Sequence, residues 1–322
     1  MNAKRLLLLI LALCMFCTCF LTGCTSGSEA GETTAAVIEN DPSLDDEMNI
    51  LLIGNSYSYY WPDELWGLLN ASGVENLTIC NVYYSGCTFE KHWTWHEAGE
   101  SHYRLCTNDA NGRREQENYN LKASLAVKNW DIISFQQSNG YIYTGGVVNQ
   151  RASIEPYLSA LYQYVYEQFP GAKYYWPQSW SHEIGNGVKD EAEQKTVTEG
   201  FRTVADEVCA KYGFTKVPCG DAWALIRHDP LVVADGRTLT YRIKGEELMD
   251  DLTHDGDVGG GQYLNACVWY EVLTGKSVVG HTWRPEYIYQ GTDYSLSEEM
   301  IALLQNAAHT AVANVYGEDY AK

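Results

Sequence analysis

Met48-Asn49-Ile50-Leu51-Leu52-Ile53-Gly54-Asn55-Ser56-Tyr57-Ser58 is the stretch on which the fold turns. An apolar run of strand length stops at Gly54 and delivers Ser56. Trp61-Pro62-Asp63-Glu64-Leu65-Trp66-Gly67-Leu68-Leu69 then opens as helices open. Pro62 and two acids fall in the first turn, and apolar residues recur at helical spacing. A serine at the carboxyl end of a buried strand, just ahead of a helix, stands where open α/β sheets place their ligands. Backbone N–H groups and the helix dipole favour negative charge there. That setting suits a nucleophilic hydroxyl, although a serine that merely caps a turn would read the same in this segment alone.

Near the other end of the chain, Asp251-Leu252-Thr253-His254 places a carboxylate three residues before an imidazole. One short turn lets Asp251 accept a hydrogen bond from His254 Nδ1 and leaves Nε2 to take a proton from Ser56. This is the logic of a base plus its orienting group. An isolated Asp-x-x-His is common; the combination with Gly-Asn-Ser after the first strand and a helix after the histidine is far more specific.

Together these blocks resemble the SGNH/GDSL hydrolase superfamily, serine esterases on a three-layer α/β/α sheet. The resemblance lies in scattered motifs between about residues 48 and 275. Gly54-Asn55-Ser56 resembles the first block, Gly-Asp-Ser, with Asn55 in place of the usual Asp. Tyr84-Ser85-Gly86 resembles the second, whose glycine N–H serves the oxyanion hole. Asp251 and His254 resemble the last block. The third block departs from the family's Gly-x-Asn-Asp: Asp131-Ile132-Ile133-Ser134-Phe135 runs into Gln136-Gln137-Ser138-Asn139-Gly140, so the amide donor is either Asn139 or Gln137. The resemblance implies a mainly parallel five-stranded sheet of flavodoxin-like SGNH hydrolase type. It also implies a Ser56–His254–Asp251 triad, an oxyanion hole from Ser56, Gly86 and one of the two amides, and no cofactor or metal.

Lys4 and Arg5 precede the apolar run from Leu6 to Phe20, which is short for a membrane span. Leu21-Thr22-Gly23-Cys24 resembles a bacterial lipobox. The expectation is a signal peptide over residues 1–23, lipidation at Cys24, a flexible stalk over 24–47 and a catalytic domain over 48–322. The protein would then be extracytoplasmic and held to the cell membrane by its lipid alone. Removal of residues 1–24 loses two positive charges and no negative ones, which takes the formal charge from −20 to −22. Such an acidic chain argues against nucleic acid or anionic lipid as a partner and favours a neutral or cationic small molecule or glycan ester. Six cysteines remain after Cys24, none in Cys-x-x-Cys spacing. Outside the cytoplasm they could pair, with Cys209–Cys219 and Cys87–Cys106 nearest in sequence; free buried thiols fit equally well.

Strand-like runs end near Gly54, Tyr84, Gln136 and Gln178, with a shorter one over residues 215–218. Helical patterns cover 121–128, 153–169, 191–212, 261–274 and 297–316. The alternation argues for a parallel sheet with helices on both faces. Residues 85–118, polar and aromatic without clear periodicity, read as an insertion at the active-site face.

Three other constellations compete for attention. His92 and His96, with His102, have helical metal-ligand spacing but lack the glutamate of a His-Glu-x-x-His motif. Asp255-Gly256-Asp257 resembles a calcium loop only faintly, because Ala266 stands where the bidentate Glu should be. Ser179 and Ser181 follow a strand and are weaker nucleophile candidates than Ser56. Aromatic residues make up 13% of the chain, including 10 Trp and 24 Tyr. Tyr57, Trp93, Trp180 and His182 fall near the expected carboxyl edge of the sheet and are the candidates for substrate contact. Rings with polar handles suit glycan hydroxyls, although most such rings in any α/β domain are core.

Overall fold

Residues 50–53 have no polar face because they have no exposed face. In the computed structural model they lie in β1 (Glu47–Ile53), which pairs in parallel with β2 (Asn76–Tyr83) and with β5 (Ile132–Phe135). Ile50 and Leu52 enter one hydrophobic core and Leu51 and Ile53 the other. This is the period-two alternation of a strand covered on both sides. The model describes residues 47–185, 187–235, 260–289 and 292–322, all within one unit, Asn40–Lys322.

β6 (Lys173–Pro177) and β7 (Thr215–Val217) extend the parallel sheet beyond β5. The five parallel strands run β2-β1-β5-β6-β7, a flavodoxin-like order with β1 at the switch between the two directions of winding. The expected five-stranded core is therefore present, but the whole sheet has seven strands. A hairpin of β3 (Tyr103–Asp109) and β4 (Gly112–Tyr119) adds antiparallel to the outer side of β2. Its outer strand, Gly-Arg-Arg-Glu-Gln-Glu-Asn-Tyr, is exposed nearly throughout. It has no apolar face to betray it in sequence, and its charges protect a sheet edge.

α1 (Pro62–Ala71), α7 (Cys219–Ile226), α9 (Gly260–Thr274) and α10 (Glu298–Tyr316) contribute to the first core. α2 (Phe89–Ala98), α3 (Leu121–Leu125), α5 (Tyr157–Gln168) and α6 (Glu191–Tyr212) contribute to the second. The result is the three-layer α/β/α sandwich. α6 begins at Asp190, whose side chain accepts from the Glu193 N–H, and ends at Gly213 in the left-handed region. α10 is likewise capped by Ser297. α9 is buried on almost every side, and Trp269 on it stacks on Trp61 with ring centroids 5.2 Å apart.

Several elements escape the sequence pattern. α2 and the hairpin occupy the supposed irregular insertion. α4 (Gly140–Ile154) is broken at Gly145 and Gly146, which hides its period. The short α8 (Pro230–Asp235) follows α7, and a two-residue pairing of β8 (Ile288–Tyr289) with β9 (Thr292–Asp293) precedes α10. Among the described residues all six cysteines are free thiols, so neither candidate disulfide forms. No helix among them is long and apolar enough to cross a membrane. The signal segment, Cys24, Asp251, His254 and the residues 255–257 lie outside the described residues.

Candidate active site

β1, β2 and β5 are neighbours and parallel, so the turns that follow them share one edge of the sheet. Ser56 begins a single 3-10 turn (Ser56–Ser58) directly after β1. Gly86 lies in the turn after β2, with φ +60. A Cβ there would meet nothing within 4 Å, so the glycine is required by backbone conformation and not by space. Asn139 closes the turn after β5 and precedes α4.

The Ser56 turn is held from several sides. Asn55 Oδ1 accepts from Tyr57 N–H at 3.2 Å, and Asn55 Nδ2 donates to the Cys87 carbonyl at 3.0 Å. Gln136 Oε1 accepts from Asn55 N–H at 3.2 Å and from Ser58 Oγ at 3.4 Å. The Gly54 carbonyl accepts from His92 Nε2 at 3.2 Å. His92 is therefore protonated on Nε2, and its Nδ1 accepts from the Tyr103 hydroxyl at 2.9 Å. Burial pushes its pKa down to about 4, which keeps it neutral. A Cβ on Gly54 would come within 2.8 Å of Gln136 Oε1, so only glycine fits beneath this clamp.

Against this framework certain groups remain without a partner among the described residues. They are the Ser56 hydroxyl, the backbone N–H groups of Ser56 and Gly86, and both polar atoms of the Asn139 side chain. Asn139 is only 2% exposed. A buried amide without hydrogen bonds costs on the order of 1–3 kcal/mol, and such groups call for an explanation.

Gln137, the other candidate donor, is engaged elsewhere. Its Oε1 accepts from the N–H groups of Phe89 (3.1 Å) and Ser138 (2.8 Å), and its Nε2 donates to the Ser153 carbonyl at 2.7 Å and to Ser153 Oγ at 3.3 Å. The amide is a strut between the start of α2 and the end of α4. Cys87, between the Gly86 turn and α2, is buried, and burial pushes its thiol pKa up to about 12, so it holds its proton.

The aromatic candidates separate. Tyr57, next to Ser56, bonds through its hydroxyl to His182 Nε2 at 2.8 Å. His182 lies against the ring of Tyr143, centroids 4.2 Å apart, and its carbonyl accepts from Gln194 and Arg227. Trp180 is instead part of the first core, stacked on Trp223 at 5.3 Å and tilted against Tyr57 at 5.0 Å. It forms the wall behind Tyr57 and offers no open face. Trp93 packs over the second core beside His96. The histidine trio does not assemble a metal site, since His92 has both ring nitrogens engaged and His102 bonds Glu100. Among the described residues no cluster of His, Cys, Asp or Glu is arranged to hold a metal. A solvent-open cavity of about 500 Å³ lies between α6 and α7, lined in part by Gln194, Thr198, Arg202, Arg227 and His228. No serine or cysteine lines it, and it touches the His182 turn only through Gln194 and Arg227.

Sequence reasoning passed over Gln136 and Arg227, and it weighed His92 only as a metal ligand. Polar residues at a strand end were the available signal, but their partners are remote in sequence.

Residues 49–311 match the family model described as Domain of unknown function (DUF4886), and the chain belongs to that family. It is similar to a DUF4886 family protein from Bacteroides uniformis, at 23% identity over 85% of this chain and 96% of that one, with a TM-score of 0.64. This likeness establishes a shared fold. A protein described as GDSL-like from Parabacteroides merdae follows at 16% identity, 73% and 98% coverage and a TM-score of 0.46. Phospholipase A1 from Streptomyces albidoflavus follows at 14% identity, 70% and 98% coverage and a TM-score of 0.41. Likeness at these levels is too distant to carry an activity across. A search of the curated proteins returns no match.

Proposed function

We propose that this protein is a serine ester hydrolase of SGNH type. The observation that carries the reading is the coincidence at the β1, β2 and β5 turns. The Ser56 hydroxyl and three donors suited to an oxyanion, the N–H groups of Ser56 and Gly86 and the Asn139 amide, have no partner among the described residues. Free donors that need no reorganisation are what a developing oxyanion requires.

In this reading Ser56 Oγ attacks the ester carbonyl while His254 takes its proton. Asp251 fixes the imidazole tautomer, and the oxyanion settles among the three donors. His254 then returns the proton to the leaving alcohol, and water releases the acyl group by the same steps. Tyr57 and His182 present a hydroxyl and an imidazole beside the nucleophile, which suits an acyl group carried on a carbohydrate. Cleavage of residues 1–23 and lipidation of Cys24 would hold the enzyme at the outer face of the cell membrane.

The test is to treat the full chain with a fluorophosphonate probe. Labelling should occur at Ser56 and vanish in Ser56→Ala and His254→Ala, and Asp251→Asn should cut turnover by orders of magnitude. A folded wild-type protein that does not label would sink the esterase reading and leave a glycan-binding surface lipoprotein on the same fold.

A further inference from the structure

Asn55 departs from the aspartate of the Gly-Asp-Ser block, and its surroundings show what the departure does. The residue is 1% exposed. Its Oδ1 must face the Tyr57 N–H, which can only donate, so Nδ2 faces the Cys87 carbonyl, which can only accept. An aspartate could keep the first bond and not the second. It would set a carboxylate oxygen against a carbonyl oxygen in a site closed to water.

The contact is one side of a closed triangle. Asn55 N–H donates to Gln136 Oε1, Gln136 Nε2 donates to the Gln137 carbonyl, and Gln137 Oε1 accepts from Phe89 N–H two residues beyond Cys87. The turn that carries Ser56, the loop that carries Gly86 and the turn that carries Asn139 are therefore joined through side-chain amides. Gly86 has a left-handed backbone and is itself exposed. Its turn is closed on itself by the Cys87 N–H bond to the Tyr84 carbonyl at 3.1 Å, and the Asn55 bond to the Cys87 carbonyl ties that turn to the one that carries Ser56.

We infer that Asn55 is a positioning residue. By donating to the Cys87 carbonyl, it sets the Gly86 N–H relative to Ser56, and the glutamine pair completes the frame. The catalytic meaning of this inference rests on the esterase reading; the mechanical tie does not.

Both are tested in the full chain with Asn55→Asp, by turnover of p-nitrophenyl acetate and by hydrogen exchange over residues 84–90. The expected result is a fall in kcat on the order of 100-fold with KM within about twofold, and faster exchange at Cys87 and Phe89. The ratio of wild-type to variant kcat should also narrow as pH falls, because a protonated aspartic acid regains a donor for the Cys87 carbonyl. A merely structural defect would not produce that recovery. Should Asn55→Asp fail to fold, Asn55→Ala carries the test, with the same loss and the same faster exchange but no recovery at low pH. Unchanged exchange over 84–90 in the folded variant overturns the tie, and unchanged kcat overturns the positioning role. Failure of the wild type to react with a fluorophosphonate instead overturns the esterase reading, while exchange still decides whether Asn55 holds the loop.

Discussion

Two turns at the same edge of the sheet are built in opposite ways. In the turn after β1, residues 54–58, side chains from distant segments hold the backbone and leave the Ser56 hydroxyl and N–H without partners among the described residues. In the turn after β6, residues 178–182, the exposed ends of the main chain are taken up. The Ser181 and His182 carbonyls accept from Arg227, the His182 carbonyl also accepts from Gln194, and the His182 N–H donates to the Tyr143 hydroxyl. The first turn leaves a hydroxyl and an N–H over at its tip; the second has the carbonyls of Ser181 and His182 and the His182 N–H taken up, while the buried Gln178 Oε1 and Trp180 Nε1 behind it lack partners among the described residues. A missing hydrogen bond alone therefore does not distinguish the turns; a hydroxyl and N–H donors brought to one edge of the sheet do.

The contrast extends to the two amides after β5 and can be broken there. Asn139→Ala should cut kcat about 100- to 1,000-fold with KM little changed, since it removes a donor used best in the transition state. Its melting temperature should hold or rise, because a buried amide without partners is removed. Gln137→Ala should behave in reverse, with a lower melting temperature and a smaller loss of kcat. Steady-state kinetics and thermal melts of both variants decide it; the opposite ranking would make Gln137 the donor.

The second turn offers the next largest effect. Arg227 is buried without an ion pair among the described residues, and its guanidinium is engaged with backbone carbonyls. Burial pushes its pKa down to about 10. Arg227→Met should loosen the His182 turn, raise KM severalfold through the Tyr57–His182 pair and lower thermal stability, with kcat near the wild-type value. A large fall in kcat at constant KM would mean that this turn serves the reaction directly.

The smallest effect concerns Glu64 on α1, behind the first turn. It is buried, bonded to the Tyr287 hydroxyl through Oε1, and its other oxygen has no partner among the described residues. Burial pushes its pKa up to about 8. The folded state thus keeps a proton that the unfolded chain releases above the ordinary value of 4.5. The stability it confers is complete below that value and is lost as pH rises toward about 8. Glu64→Gln should flatten this arm, so its melting temperature should gain on the wild type between pH 5 and pH 9. His92 acts on the other side: its folded pKa of about 4 lies below the ordinary 6.5, so its contribution is lost as pH falls between those values. A constant difference between Glu64→Gln and wild type across the range would place the proton elsewhere.

The sequence by itself determined the alternation of strand and helix and the parallel core. It did so because these features are written in local terms. A strand covered on both faces reads as a continuous apolar run, and a helix shows its period and its caps, as residues 191–212 do down to Asp190 and Gly213. It also placed Ser56 at a strand end, since the apolar run stops at Gly54. The hairpin β3–β4 was not legible, because an exposed charged edge strand carries no apolar period, and α4 was masked by its paired glycines. Nor could sequence show that the Gln137 amide is bonded where the Asn139 amide is not, assign Trp180 to the core, or find the partners of Asn55 and His92. Only the tertiary structure decided those. A polar side chain is defined by its partner, and here the partners stand far away along the chain: Cys87 for Asn55, Phe89 and Ser153 for Gln137, Gly54 for His92. Burial is fixed residue by residue through local composition, whereas a hydrogen bond exists only once the strands that carry its two ends lie side by side.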